Sequence, residues 1–170
     1  MSRVFIIAGT KGFADYDLIK QTLLSYLKEH YIDINDVEIV TGDAPGASHF
    51  GDVFAGEYKL ALSKFYAMPE AYGEAADWVR NEQMAEYAAD RHGTVFAFWD
   101  GQSSGTKTML ALAKRHGLEI HTVLYKGEAL TPEKMLDTNA VFGLAGKPDK
   151  NDVVDNMNDL YDLDPSIRSF

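Results

Sequence analysis

The chain has 170 residues, no cysteine, 46% hydrophobic residues and a formal net charge of −10 at pH 7. These values are typical of one globular domain, and the lack of cysteine excludes disulfides and thiolate metal sites. The negative charge disfavours nucleic-acid binding, which needs cations against phosphates, and no apolar run reaches the roughly 18–20 residues of a membrane span. The N-terminal apolar stretch is too short for a signal peptide, so we expect a cytoplasmic protein with no nucleic acid and no membrane as partner.

Five short apolar runs alternate with four helical patterns along residues 3–124. The predicted strands are Arg3–Ala8, Val37–Thr41, a weaker Lys64–Met68, Thr94–Trp99 and Leu118–Leu124. Helices are predicted after the first strand, over Ser48–Leu62, over Asp77–Arg91 and after Trp99, with Pro69–Gly73 as a loop. The alternation predicts an α/β, Rossmann-like domain over residues 1–126, with a mostly parallel five-stranded sheet and helices on both faces.

Residues 127–170 differ in composition from the segment before them. They carry nine acidic side chains against four basic ones, and their apolar periodicity is weak. We predict an acidic C-terminal extension, which is either a solvated tail or a segment that docks a partner or another subunit.

Three glycine-bearing turns each follow a predicted strand. They read GTKG after the first strand, GDAPGAS after the second and DGQSSGT after the fourth. The carboxyl ends of parallel strands share one edge of a sheet, where ligands bind, and glycines let the backbone approach them. The turns therefore predict a shared anion-binding cleft, with purely structural turns as the alternative.

The segment Ser103–Thr106 is the most specific of these turns, because two hydroxyls, a glycine and a threonine come together at a helix start. Backbone N–H groups at that position favour phosphate, although serine also caps helices that bind no ligand. Lys11 in the first turn supplies positive charge, unless it is only a solvated surface lysine. Neither GxGxxG nor the P-loop pattern GxxxxGK[ST] occurs, so a conventional dinucleotide fingerprint and a Walker-type nucleotidase are unsupported.

Arg80 and Asn81 lie near the start of the third long predicted helix, from which we expect them to reach the same edge of the sheet. Arginine suits a bidentate anion clamp, whereas the alternative is an ion pair with Glu82 or another surface acid. Trp78 either stacks on a base or covers the sheet. The five histidines lack metal-ligand spacing and there is no GxSxG motif, so we assign no metal site and no catalytic residue.

At these residues the chain resembles the SLOG superfamily, which takes its name from DNA-processing and LOG members, and within it the YspA/YpsA-related branch of bacteria and their phages. The resemblance covers about residues 3–124. It rests on AGTKGF, TGDAPGAS, YGEAADWVRNEQM and AFWDGQSSGTKTMLALAKRHG. It implies a Rossmann-like fold that binds nucleotides or nucleotide-derived signals through the glycine turns and the Arg-Asn pair, often in an oligomer.

The sequence departs from the family pattern at several positions. Asp43, Pro45 and Ser48 stand where the branch usually has the second Gly, the Arg and the Asp of a GGARGAD-like turn. Asp77-Trp78 replaces a usual Gly-Pro. The LOG enzymes, which cleave the ribose–base bond of nucleoside monophosphates, use PGGxGTxxE, and Met109 occupies the place of their glutamate. A thioether cannot replace a carboxylate in that reaction, and Asp43, Asp100 or Glu82 are the possible substitutes.

The leading hypothesis is therefore a sensor or sequestering protein for a nucleotide, ADP-ribose-like or cyclic-nucleotide ligand. A nucleoside-monophosphate hydrolase and an interaction module using the acidic C-terminal segment are the alternatives. We expect a bacterial or phage homo-oligomer with a nucleotide-type ligand and no other cofactor. The predicted ligand-binding residues are Gly9, Thr10, Lys11, Phe13, Gly42, Asp43, Ala44, Gly46, Ala47, Ser48, Arg80, Asn81, Asp100, Gly101, Ser103, Ser104, Gly105 and Thr106.

Overall fold

The computed structural model describes residues 2–125, which fold into one sheet with helices on both faces. The strands are β1 (Arg3–Gly9), β2 (Val37–Thr41), β3 (Ala61–Lys64), β4 (Thr94–Trp99) and β5 (Glu119–Leu124). The helices are α1 (Tyr16–Glu29), α2 (Ala47–Tyr58), α3 (Pro69–Tyr72), α4 (Ala76–Ala89) and α5 (Ser104–Arg115), with 3-10 turns at Ile34–Asp36 and Gly73–Ala75. The prediction for residues 127–170 lies outside the described residues.

The sheet has the strand order β3-β2-β1-β4-β5, and all four strand pairings are parallel. The chain therefore adds strands on one side of β1 and then crosses to the other side. This confirms the predicted Rossmann-like α/β fold. The point where the order reverses lies between β1 and β4, and in such sheets a crevice opens there beyond the carboxyl ends of the strands.

Alternating side chains of β1 reach opposite faces of the sheet, as the two-residue period of a strand requires. Phe5 and Ile7 pack in a core with α1 and α2, while Val4, Ile6 and Ala8 pack in a second core with α4 and α5. The near-continuous apolar sequence of β1 is thus explained by burial on both faces. These two cores fix the helix positions around the crevice.

The third strand and its flanking segments differ from the prediction. β3 covers Ala61–Lys64 rather than Lys64–Met68, because α2 ends at Tyr58 and not at Leu62. Lys59 takes a left-handed backbone conformation (φ 55°), and the Leu60 N–H donates to the Ala55 carbonyl, which closes the helix early. The predicted loop Pro69–Gly73 contains the short helix α3.

No helix within residues 2–125 has both the length and the apolar character to cross a bilayer.

Candidate functional site

A cavity of about 390 Å³ lies at the carboxyl edge of the sheet, over the ends of β2, β1 and β4. The first turns of α4 and α5 form its other walls. Its lining residues are Ala8, Gly9, Thr10, Lys11, Gly42, Ala44, Ser48, Asp77, Arg80, Asn81, Met84, Ser103, Ser104, Gly105, Thr106 and Met109. The crevice predicted from the three turns therefore exists as one space.

The start of α5 presents backbone N–H groups to this cavity. Ser103 is the N-cap residue, but its side chain makes no capping hydrogen bond and instead accepts one from Thr106 Oγ1 at 3.2 Å. The first α-helical bond runs from the Lys107 N–H to the Ser103 carbonyl, so the three N–H groups before it have no carbonyl partner within the helix. A Cβ added to Gly105 would meet no atom within 4 Å. This arrangement is suited to an anion.

Asp100 holds the turn that precedes α5. Its Oδ1 accepts hydrogen bonds from the N–H groups of Ser103 at 2.8 Å and Gln102 at 2.9 Å, which lower the pKa of the carboxyl. The Asp100 N–H donates to Thr10 Oγ1 at 3.1 Å and so ties this turn to the loop after β1. Gly101, at φ 80°, completes the bend. Asp100 and Gly101 therefore shape the site without lining the cavity.

The loop after β1 contributes Thr10 and Lys11 to the cavity wall. The Thr10 N–H donates to the Phe98 carbonyl at 3.0 Å, which holds the loop against β4. Lys11 is exposed, and within the described part of the chain no carboxylate lies within ion-pair distance of its ammonium group. Phe13 is buried against the rings of Phe50 and Phe98 and belongs to the core rather than the cavity wall.

The turn after β2 packs tightly on the loop after β1. Gly46 has φ 78°, and a Cβ there would lie 2.3 Å from the Thr10 carbonyl oxygen. Ser48 is buried and donates to the Ile7 carbonyl at 3.3 Å, and Ala47 is fully buried. Asp43 pairs with Lys64 at 2.8 Å, an ion pair that raises the pKa of the lysine. Of the residues predicted here, Gly42, Ala44 and Ser48 line the cavity, whereas Asp43, Gly46 and Ala47 do not.

Arg80 and Asn81 connect the wall formed by α4 to the two neighbouring turns. Arg80 Nη1 donates to the Gly42 carbonyl at 2.9 Å, and its Nη2 lies 3.1 Å from Asp77 Oδ1. The buried Asn81 accepts from Arg80 Nε at 3.3 Å and donates to the Gly105 carbonyl at 3.4 Å. Both residues line the cavity, and the acid that pairs with Arg80 is Asp77.

Glu82, named from the sequence as a possible partner of Arg80, faces away from the cavity. It pairs with Arg115 at 3.2 Å and with His116 at 3.1 Å, both at the end of α5. Trp78 is half-buried and packs on the core between α4, α5 and the sheet.

The floor of the cavity consists of Ala8, Met84 and Met109, which sequence reasoning did not include among the ligand-binding residues. The two methionines are almost fully buried. Met109 lies on α5 three residues after Thr106, so the helical period was the signal that placed it on the same face. Asp77, also not predicted as a ligand-binding residue, lines the cavity, whereas Asp43, Asp100 and Glu82 do not.

These features define a Rossmann-like domain with a cavity at the point where the strand order reverses. No protein-family model and no curated protein matches the sequence. Among solved structures, the chain is similar to DNA processing protein A (DprA) from Streptococcus pneumoniae, with 12% sequence identity and a TM-score of 0.57. The similarity covers 86% of this chain and 58% of that chain, so this chain spans well under two thirds of the length of DprA. At this identity the similarity shows a shared fold.

Proposed function

We propose that the cavity binds a nucleotide or nucleotide-derived ligand, with a phosphate group at the start of α5, and that the protein acts as a sensor or sequestering protein. The observation that carries this proposal is the set of N–H groups of Ser104, Gly105 and Thr106, which lie at a cavity wall without a side-chain cap. The resemblance to the SLOG superfamily and the DprA-like fold support the same class of ligand.

The charges around the cavity favour an anion despite the acidic composition of the chain. Lys11 and Arg80 supply two cations and Asp77 one carboxylate, and the positive end of the α5 dipole adds to the cations. Local attraction of this kind acts over a few ångströms, whereas the net charge of −10 is spread over the molecule and screened by salt.

The size and floor of the cavity favour a ligand larger than phosphate alone. A volume of about 390 Å³ lies within the range of roughly 300–1,000 Å³ that is usual for small-molecule sites. The floor formed by Ala8, Met84 and Met109 carries no charged or hydrogen-bonding side chain, so this side of the cavity suits an uncharged ring of the ligand rather than a second charged group. A phosphate at the wall and a ring on the floor together describe a nucleotide.

Met109 supports binding rather than hydrolysis. It lies on the cavity floor at the position where the LOG motif has its glutamate. The carboxylate that does line the cavity, Asp77, is paired with Arg80 at 3.1 Å. Hydrolysis of the ribose–base bond is therefore the second candidate function, and the ligand screen must also detect its products.

A thermal-shift screen with AMP, NAD, ADP-ribose and cyclic ADP-ribose, each at about 1 mM, tests the class of ligand. A ligand that binds only the folded state raises the melting temperature, and chromatography of the same samples detects products. Stabilisation without product supports the proposal. Release of free base would replace it with a hydrolase, and no stabilisation by any of the four would contradict nucleotide binding.

The variant Ser104→Pro tests the contribution of one N–H group at the start of α5. Proline is favoured at the first helical position, and Ser103 already has the extended backbone (φ −55°, ψ 117°) that a following proline requires. The fold should persist, while loss of a hydrogen bond to a charged group should weaken binding of the stabilising nucleotide by about tenfold or more. Ser104→Ala keeps the N–H and removes only the hydroxyl, so it is the matched control for the side chain, and Ser104→Pro should bind about tenfold more weakly than Ser104→Ala. Equal affinity of wild type and Ser104→Pro, measured by calorimetry, would contradict a phosphate at this position.

A further inference from the structure

The two ends of the cavity differ in chemistry. The strand order places β1 between β2 and β4. At the β4 end, the start of α5 offers N–H groups and hydroxyls. At the β2 end, the first turn of α4 offers the pair formed by Asp77 and Arg80, next to the Gly42 carbonyl. Lys11 follows β1 and lies between the two ends.

The arginine at the β2 end is already engaged by groups of the protein. Its Nη1 donates to the Gly42 carbonyl at 2.9 Å, its Nη2 contacts Asp77 at 3.1 Å, and its side chain is only 13% exposed. The Asp77 side chain is 65% exposed and lines the cavity. A ligand group that approaches this end therefore meets the carboxylate as well as the guanidinium.

A carboxylate accepts hydrogen bonds and repels anions. Hydroxyl groups of a ribose are neutral donors that such an oxygen binds, whereas a second phosphate placed beside the carboxylate is repelled by it. Without Asp77, the same place would hold an arginine whose Nη2 is free to bind a phosphate.

We propose that Asp77 is a specificity-determining residue, which selects ligands with one phosphate at the α5 end and neutral hydroxyl donors at the α4 end, and rejects ligands with a second phosphate there. This proposal rests on the proposed nucleotide-binding function. It explains what the acidic residue at this position does in a cavity that otherwise attracts anions.

The experiment compares adenosine and guanosine 5′-monophosphates with the corresponding 3′,5′-bisphosphates by calorimetry. The measured quantity is the ratio of the bisphosphate Kd to the monophosphate Kd. Asp77→Asn removes the charge but keeps the shape and an acceptor oxygen. Asp43→Asn is the matched control, because it changes the net charge equally, lies outside the cavity, and asparagine tolerates the left-handed backbone of that position (φ 48°).

Wild type should bind the monophosphate more tightly, and Asp77→Asn should lower the ratio by about tenfold, whereas Asp43→Asn should leave it within about twofold of wild type. An unchanged ratio in Asp77→Asn, or a wild type that prefers the bisphosphates, would overturn the role of Asp77 while nucleotide binding stands. If wild type binds none of the four nucleotides, the role of Asp77 is overturned, whereas the nucleotide-binding function is overturned only if the thermal-shift screen also finds no stabilising nucleotide.

Discussion

The starts of α1 and α5 lie on the same edge of the sheet and differ in how their first backbone N–H groups are bonded. At the start of α1, the Asp15 carboxylate accepts from the Leu18 N–H at 3.0 Å. At the start of α5, Ser103 occupies the same position but its side chain makes no capping bond. The Asp15 side chain thus bonds an N–H group at the start of α1, whereas no side chain caps the N–H groups at the start of α5.

The surroundings of the two helix starts also differ, since the first is packed against α2 and the second faces the cavity. Tyr16 and Lys20 of α1 both bond Glu57 of α2, and the rings of Tyr16 and Phe50 stack at 5.8 Å between centroids. The start of α5 instead faces the cavity, with Gly105 exposed. Strand order brings several helix starts to one edge of the sheet, and the side chain at each N-cap position decides whether the first N–H groups of that helix are already bonded.

Gly46→Ala should have the largest effect on stability among the variants that test the edge of the sheet. It disrupts the packing between the turn after β2 and the loop after β1. The backbone of Gly46 (φ 78°, ψ −130°) is strained for alanine, and its Cβ would overlap the Thr10 carbonyl oxygen. We expect a loss of about 3 kcal/mol or more in the free energy of unfolding, measured by urea denaturation. A loss below about 0.5 kcal/mol would contradict tight packing between the turn after β2 and the loop after β1.

Asp15→Ala should have an intermediate effect, because it removes the cap of α1. We expect a decrease of about 1 kcal/mol in the free energy of unfolding. Nucleotide affinity should stay unchanged, since Asp15 does not line the cavity. Asp15→Ser, which restores a capping oxygen, should recover most of the stability. A fall in affinity comparable to that of Ser104→Pro would contradict the distinction between the capped start of α1 and the uncapped start of α5.

Gly105→Ala should have the smallest effect on stability, and the opposite sign. Its Cβ enters open space, and replacing glycine within a helix adds about 0.5–1 kcal/mol to the free energy of unfolding. The same methyl group hinders the approach of a phosphate to the helix start, so nucleotide affinity should fall while the melting temperature of the free protein rises. Parallel gains in stability and affinity would contradict a phosphate beside Gly105.

The fold could be predicted from the sequence because its signals are local and repeated. The β-branched and aromatic residues of β1 and β4, and the apolar faces of the long helices, each indicate an element by their period. The sequence places the third strand three residues too late, because α2 ends at Tyr58 and Lys59 follows it in a left-handed conformation. Sequence patterns associate that ending with glycine, and a lysine gives no such signal.

The site could be predicted only in part, since its walls depend on contacts between distant segments. The turn residues Lys11 and Ser103–Thr106 were placed correctly at the edge of the sheet, and they line the cavity. Phe13 directly follows the turn GTKG in the sequence, but its ring packs among other rings of the core, where burial stabilises an aromatic side chain. Asp43 was included for its place in a turn, and its pairing with Lys64 depends on a β3 register that the sequence did not reveal.

The proposed function depends on a phosphate group at the start of α5. Its most direct test is the titration of the protein with inorganic phosphate, observed through the backbone amide resonances in nitrogen–proton correlation spectra, with sodium chloride at equal ionic strength as control. We expect saturable shifts at the amides of Ser104, Gly105 and Thr106, and none at Leu18, whose N–H already donates to Asp15. Unmoved amides at the start of α5, or equal shifts at both helix starts, would contradict it.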